Sequence, residues 1–121
     1  MTCLLRTALA IAIVATPAVA EGFEPIRDRE TFVELVQGRE LSLPLFRIRL
    51  QVLPDGRIEG EALGWGVKGR WSWNEGYFCR DMDWSGMPIE YNCQLVEAKG
   101  SDQVRFTVDK GDGRSASFSL R

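Results

Sequence analysis

The chain has 121 residues, with 15 basic and 17 acidic side chains, no histidine and a formal net charge of −2. That length makes one domain with a modest core, and without a basic cluster neither nucleic acid nor an anionic membrane surface is expected as a partner. The missing histidine excludes Ser-His-Asp and Cys-His catalysis and any Cys/His zinc site.

The N-terminus reads as a secretory signal. One positive charge, Arg6, precedes an apolar run over 7–16 and the small-residue sequence Pro17-Ala-Val-Ala20, which predicts cleavage between Ala20 and Glu21. The run is too short for the roughly 20 residues of a membrane span, and no basic stop-transfer cluster follows, so no membrane anchor is expected after cleavage. The predicted organisation is a signal peptide over 1–20 and one domain over 21–121, in the periplasm or outside the cell. Cys3 leaves with the signal. Cys79 and Cys93 remain, and in an oxidising compartment they are expected to pair.

Residues 21–26 form a short lead. Asp28 caps a helix predicted over about 28–37, with Phe32, Leu35 and Val36 on one face, acidic residues at its positive end and Gly38 as its stop. So short a helix is marginal alone and is expected to cover an opening or edge of a sheet. From Arg39 onward the chain reads as strands. Leu41 and Leu43 begin one, cut by Pro44. Phe46, Ile48, Leu50 and Val52 alternate with polar residues in the next. Pro54-Asp55-Gly56 suits a three-residue hairpin loop, which pairs Val52 with Ile58, Leu50 with Gly60 and Ile48 with Ala62.

Residues 65–93 hold all four tryptophans and both tyrosines. Trp65, Val67, Gly69, Trp71 and Trp73 alternate with small or polar residues, so the tryptophans share one face. Asn74-Glu75-Gly76 repeats the turn chemistry of 54–56. In that register Tyr77 and Cys79 point inward; a two-residue loop would instead turn Phe78 and Arg80 inward. The first register is preferred because it buries a cysteine and exposes an arginine. Residues 81–88 are expected to be a loop. Ile89, Tyr91, Cys93 and Leu95 then alternate inward, which places the Cys79–Cys93 bridge in the core. Strands at 104–108 and 116–120, separated by turns at 99–101 and 109–113, complete the chain.

About eight short strands without interposed helices imply an all-β fold with one short N-terminal helix. The expected architecture is an antiparallel up-and-down meander, closed or nearly closed as a small β-barrel. A β-sandwich is the alternative.

The chemistry-bearing residues are few. Asp81 and Asp83, beside Trp84, are the one suggestive carboxylate pair for a hydrolase; the plainer reading is a solvated acidic loop. Gly64, Gly66 and Gly69 match Gly-x-Gly-x-x-Gly formally, but a strand follows instead of the helix that holds a pyrophosphate. Residues 109–113 lack the ligands of a calcium loop. No catalytic residue, metal or cofactor is assigned. Trp65, Trp71, Trp73 and Tyr77 either line a barrel mouth that holds an apolar or sugar-like ligand or fill the core; with Arg80 and Trp84 they are the candidate ligand or partner contacts.

Seven stretches carry a resemblance: Phe23-Glu-Pro-Ile26, Gly38-Arg-Glu-Leu41, Pro54-Asp-Gly-Arg-Ile58, Gly69-Arg-Trp71-Ser-Trp73, Gly76-Tyr-Phe-Cys79-Arg80, Asn92-Cys93-Gln94 and Val104-Arg-Phe106. Together they resemble a family of small secreted alphaproteobacterial proteins of no established function, often named dihydrodipicolinate reductase. That name implies a nucleotide-binding domain and a histidine-based site, and the residues here supply neither. The resemblance therefore implies no catalytic residues. The expected function is a periplasmic, non-catalytic binding module that takes a small ligand or a protein at an aromatic barrel end. The alternative is a periplasmic inhibitor of a protease or lysozyme, favoured by an exposed apolar patch around Trp84 and Met87. A carboxylate-based hydrolase comes third, and would need Asp81, Asp83 or Glu90 to face one another in a cleft.

Overall fold

In the computed structural model, residues 10–12 and 22–121 are described. The predicted signal peptide lies outside the described residues apart from 10–12, and its cleavage point lies wholly outside them. Among the described residues no helix is long and apolar enough to cross a membrane.

The strands are β1 (Glu24–Ile26), β2 (Leu41–Leu43), β3 (Ile48–Val52), β4 (Arg57–Ala62), β5 (Trp65–Asn74), β6 (Tyr77–Trp84), β7 (Met87–Lys99), β8 (Gln103–Thr107) and β9 (Ser115–Leu120). One α-helix, α1 (Arg29–Val36), follows β1, and 3-10 turns occupy Pro44–Phe46 and Asp109–Gly111. From β2 onward each strand pairs antiparallel with the next, and β9 returns to β2, so eight strands close into an up-and-down barrel. Closure decides for the barrel over the sandwich. At the seam Leu41 lies opposite Leu120, and Glu40 and Arg121 exchange backbone hydrogen bonds of 2.8 and 2.9 Å. The lead is not irregular: β1 pairs with the end of β7, Ile26 opposite Val96, as a ninth strand beside the barrel.

The first hairpin has the predicted register, with Val52 opposite Ile58, Leu50 opposite Gly60 and Ile48 opposite Ala62. Pro54 forces this outcome. Its ring holds φ negative, which suits the first position of a type I turn and forbids the positive φ of a two-residue type I′ turn. Glu75 carries no such constraint. At φ 51° with Gly76 at 86° it makes a two-residue turn, so Trp73 pairs with Phe78 and Trp71 with Arg80. The expected three-residue register is therefore overturned. Phe78 and Arg80 face inward, Tyr77 and Cys79 outward. This register brings the Phe78 ring into the barrel and takes Arg80 in with it, while Cys79, only 1 % exposed, is buried on the outer face.

The predicted loop over 81–88 is also overturned. β6 continues to Trp84, and the turn is only Ser85-Gly86, at φ 49° and 96°. A second deviation follows in β7. Arg80 pairs with Asn92 and Met82 with Ile89, so Glu90 and Tyr91 together oppose Asp81 as a β-bulge. The bulge shifts the alternation by one: Ile89, Gln94 and Val96 face inward, Tyr91, Cys93 and Leu95 turn outward, and the Asn92 side chain reaches Asp109 at the unpaired edge of β7. Cys79 and Cys93 sit directly opposite each other and are bonded, as expected from the sequence, but across the outer face rather than through the core. The turn at 109–111 folds over this outer face. Asp109 and Asn92 exchange two hydrogen bonds, 2.8 and 2.9 Å, and the Lys110 ammonium lies 5.4 Å from the Tyr77 ring centre.

α1 closes one end. Asp28 caps it by accepting from the Thr31 N–H at 3.0 Å, a bond that holds its carboxyl below the usual range. Phe32, with no exposed surface, enters the barrel from this helix. It meets Trp71, Trp73, Phe78 and Phe106 at ring-centre distances of 5.5, 5.2, 5.2 and 6.2 Å. Two indole N–H groups tie the plug to its surroundings: Trp71 donates to the Leu53 carbonyl at 2.8 Å and Trp73 to the Arg27 carbonyl at 2.9 Å. Trp71 and Trp73 thus share a face as predicted, Trp71 buried and Trp73 half-buried.

Candidate functional site

The barrel is not filled along its whole length. A strand of ten residues such as β5 spans roughly 33 Å at about 3.3 Å per residue. The aromatic plug occupies one end only. Beyond it, toward the far end, Ile48, Leu50, Ile58 and Ala62 of β3 and β4 and Ala116 of β9 are medium-sized or small. They leave two adjoining pockets. The deeper part, of about 270 Å³, lies between Leu50, Val52, Phe78, Arg80, Met82, Gln94, Phe106 and Phe118 and extends to Arg114, Ser115 and Ala116. The outer part, of about 330 Å³, is wholly apolar, lined by Phe46, Ile48, Ala62, Leu63, Val67, Trp84 and Ile89. Leu50, Met82 and Phe118 line both. These volumes stand at the lower end of the roughly 300–1,000 Å³ usual for ligand sites.

Unequal strand lengths give access. β8 ends at Thr107, opposite Leu95, so β7 from Met87 to Gln94 has β6 on one side and no strand on the other among the described residues. Arg114, Ser115 and Ala116 stand across that gap. The end opposite α1 carries an apolar rim. Leu45 and Phe46 in the 3-10 turn, Leu63 and Trp65 at the β4–β5 turn, and Met87 at the start of β7 are 51–82 % exposed. Trp84 is half-buried just inside, and its indole donates to the Ala62 carbonyl at 3.0 Å.

Two buried polar side chains face the deeper part, and the exposed Arg114 and Ser115 stand at its edge. Arg80 is 8 % exposed and Gln94 6 %. The Arg80 guanidinium donates through Nη1 to the carbonyl of Glu90, inside the bulge, at 2.7 Å. Among the described residues it forms no ion pair. Gln94 makes no side-chain hydrogen bond among them either. No buried polar atom there is sealed off without a partner, so the remaining donors of both side chains reach open space. Burial pushes the Arg80 guanidinium down from its ordinary range, opposed by the neighbouring Asp81 carboxylate.

The sequence-predicted contacts are therefore divided. Trp71 and Trp73 are core at the plugged end, Trp65 and Trp84 stand at the open end, and Tyr77 is outside the barrel beneath Lys110. They do not line one mouth, because Trp65 and Trp73 are eight residues apart along one strand, roughly 26 Å. Arg80 lies in the cavity. Gln94, Met82 and Phe118 are lining residues that the sequence reading missed; the bulge at 90–91 hid the inward parity of Gln94. Asp81 and Asp83 fall on the outer face, opposite Arg70 and Lys68, and share an open groove there with Arg57 and Glu90. Asp81 is exposed, and Asp83 caps a turn by accepting from the Gly86 N–H at 2.9 Å. Among the described residues no cluster of His, Cys, Asp and Glu could hold a metal ion. Comparison with protein-family models, with curated proteins and with solved structures found no match.

Proposed function

We propose that this protein is a non-catalytic binding module that takes a small, largely apolar ligand into the barrel through the end left open by α1. The observation that carries this reading is the pair of largely apolar pockets between the plug and the exposed rim, which share Leu50, Met82 and Phe118 as lining residues. An interior of well-packed side chains leaves few voids larger than a water molecule, so two adjoining pockets of this size suit an occupant. The apolar rim gives such a ligand a surface to meet before it enters. The cross-strand bridge Cys79–Cys93 and the signal-like N-terminal sequence support a periplasmic or extracellular setting.

Titration with the neutral fluorophore N-phenyl-1-naphthylamine tests the reading. Saturable enhancement at one site per chain is expected. It should be lost when the chambers are filled by Ala62→Leu with Ala116→Leu, while the fold is retained by circular dichroism. Absence of saturable binding, or binding untouched by the filled variant, would rule against it. The exposed Leu45, Phe46, Leu63, Trp65 and Met87 support a second reading, a protein partner or inhibited enzyme docked on the rim. That reading predicts that the filled variant retains partner binding and that rim substitutions remove it.

A further inference from the structure

Arg80 is the residue that fits worst with a simple apolar cavity. A charged group taken from water costs several kcal/mol unless it is paired and hydrogen-bonded. Here the guanidinium of Arg80, a residue only 8 % exposed, donates to one backbone carbonyl and forms no ion pair among the described residues. An alternative register was open to the chain that would have placed Arg80 in water. The bulge places the Glu90 carbonyl where it accepts one N–H of the fork, which leaves other N–H groups for the cavity. Gln94 lies diagonally across from Arg80 on the same inner face, since Phe78 pairs with Gln94 and Arg80 with Asn92. Its amide is likewise without a side-chain partner among the described residues. From Arg80 to Trp84 β6 runs roughly 13 Å toward the rim, and along that path the lining turns wholly apolar.

We infer that the ligand is an amphiphile with a single carboxylate head, bound by Arg80 and Gln94, and an aliphatic tail lying toward Trp84 and the rim. This rests on the cavity-binding reading above and gives it a ligand class. A planar guanidinium offers paired N–H groups that match the two oxygens of a carboxylate. One buried cation and a chamber of about 270 Å³ suit a compact monoanion better than a doubly charged phosphate head. The charge missing inside the barrel is then supplied by the ligand.

Dodecanoate, dodecan-1-ol and dodecyltrimethylammonium, each below its micellar concentration, are compared as displacers of N-phenyl-1-naphthylamine from the intact domain. Dodecanoate is expected to bind about tenfold or more tightly than the alcohol, in line with a charge-assisted hydrogen bond, and the cation most weakly. Arg80→Met should bring dodecanoate to the level of the alcohol. Equal displacement by acid and alcohol in the wild type overturns the carboxylate inference while the cavity reading survives. Failure of the fluorophore itself to bind overturns both. A measurement on the wild type covers the case in which Arg80→Met does not fold. The carbon-13 signal of carboxyl-labelled dodecanoate should titrate at lower pH when bound than when free; a bound carboxyl that titrates at the free value or above it refutes the pairing with Arg80.

Discussion

The two ends of this barrel are built from similar residues and behave differently. At one end Trp71, Trp73, Phe78 and Phe106 surround Phe32 and leave no room. At the other, Phe46, Leu63, Trp65 and Trp84 stand around a cavity, and three of the four are more than half exposed. Aromatic content does not separate them. The difference is one helix of eight residues, which brings a side chain from outside the sheet into the first end and has no counterpart at the second. A closed eight-stranded barrel is just wide enough for its own side chains. Whether an end is core or pocket then depends on which side chains enter it.

The contrast can be broken most directly at the plug. Phe32→Ala removes the ring that the four aromatic neighbours share, and should destabilise the domain by about 3–5 kcal/mol, as for a buried Phe. Urea unfolding followed by tryptophan fluorescence measures this. A loss under about 1 kcal/mol would mean that the plug is not core.

The bridge comes next. Cys79 and Cys93 close a loop with a sequence separation of 14, for which chain entropy suggests about 3 kcal/mol. Because the bridge ties β6 to β7 on the outer face, its loss by Cys79→Ala with Cys93→Ala should lower the unfolding midpoint yet leave ligand binding within about twofold. Impaired binding at full occupancy of the folded state would instead tie the bridge to the position of Arg80 in the same strand.

The smallest effect on stability belongs to the open end. Trp65 is 64 % exposed, so Trp65→Ser should change stability by no more than about 0.5 kcal/mol. Its effect should appear in the rate at which N-phenyl-1-naphthylamine enters, measured by stopped flow. A large stability loss with unchanged entry would make the rim structural, and the two ends would then no longer differ in kind.

Local chemistry is a good guide where it leaves one choice. Pro54 cannot take positive φ, so the β3–β4 register follows from the sequence. Asp28 and Gly38 bracket a helix that runs over Arg29–Val36, within the predicted 28–37. The β5–β6 turn left two registers open, and they differ in whether Phe78 or Cys79 enters the barrel; in the observed one Phe78 does, and Cys79 is buried on the outer face. Preference for a solvated Arg80 pointed the wrong way. That misreading falls at the candidate site, and functional or strained sites are where local preference is expected to fail.

The sequence by itself determined an all-β chain, its short helix, the turns that contain proline, and the pairing of Cys79 with Cys93. These depend on backbone dihedrals, on alternation along one strand and on the number of cysteines available, all of which are local or compositional. Only the tertiary structure decided which end of the barrel is filled, which face carries the bridge, and that Arg80 and Gln94 look into one cavity. Those outcomes depend on how β6 registers against β5 and on a single extra residue in β7. Side chains alternate with a period of two, so a shift of one residue sends every later side chain to the other face.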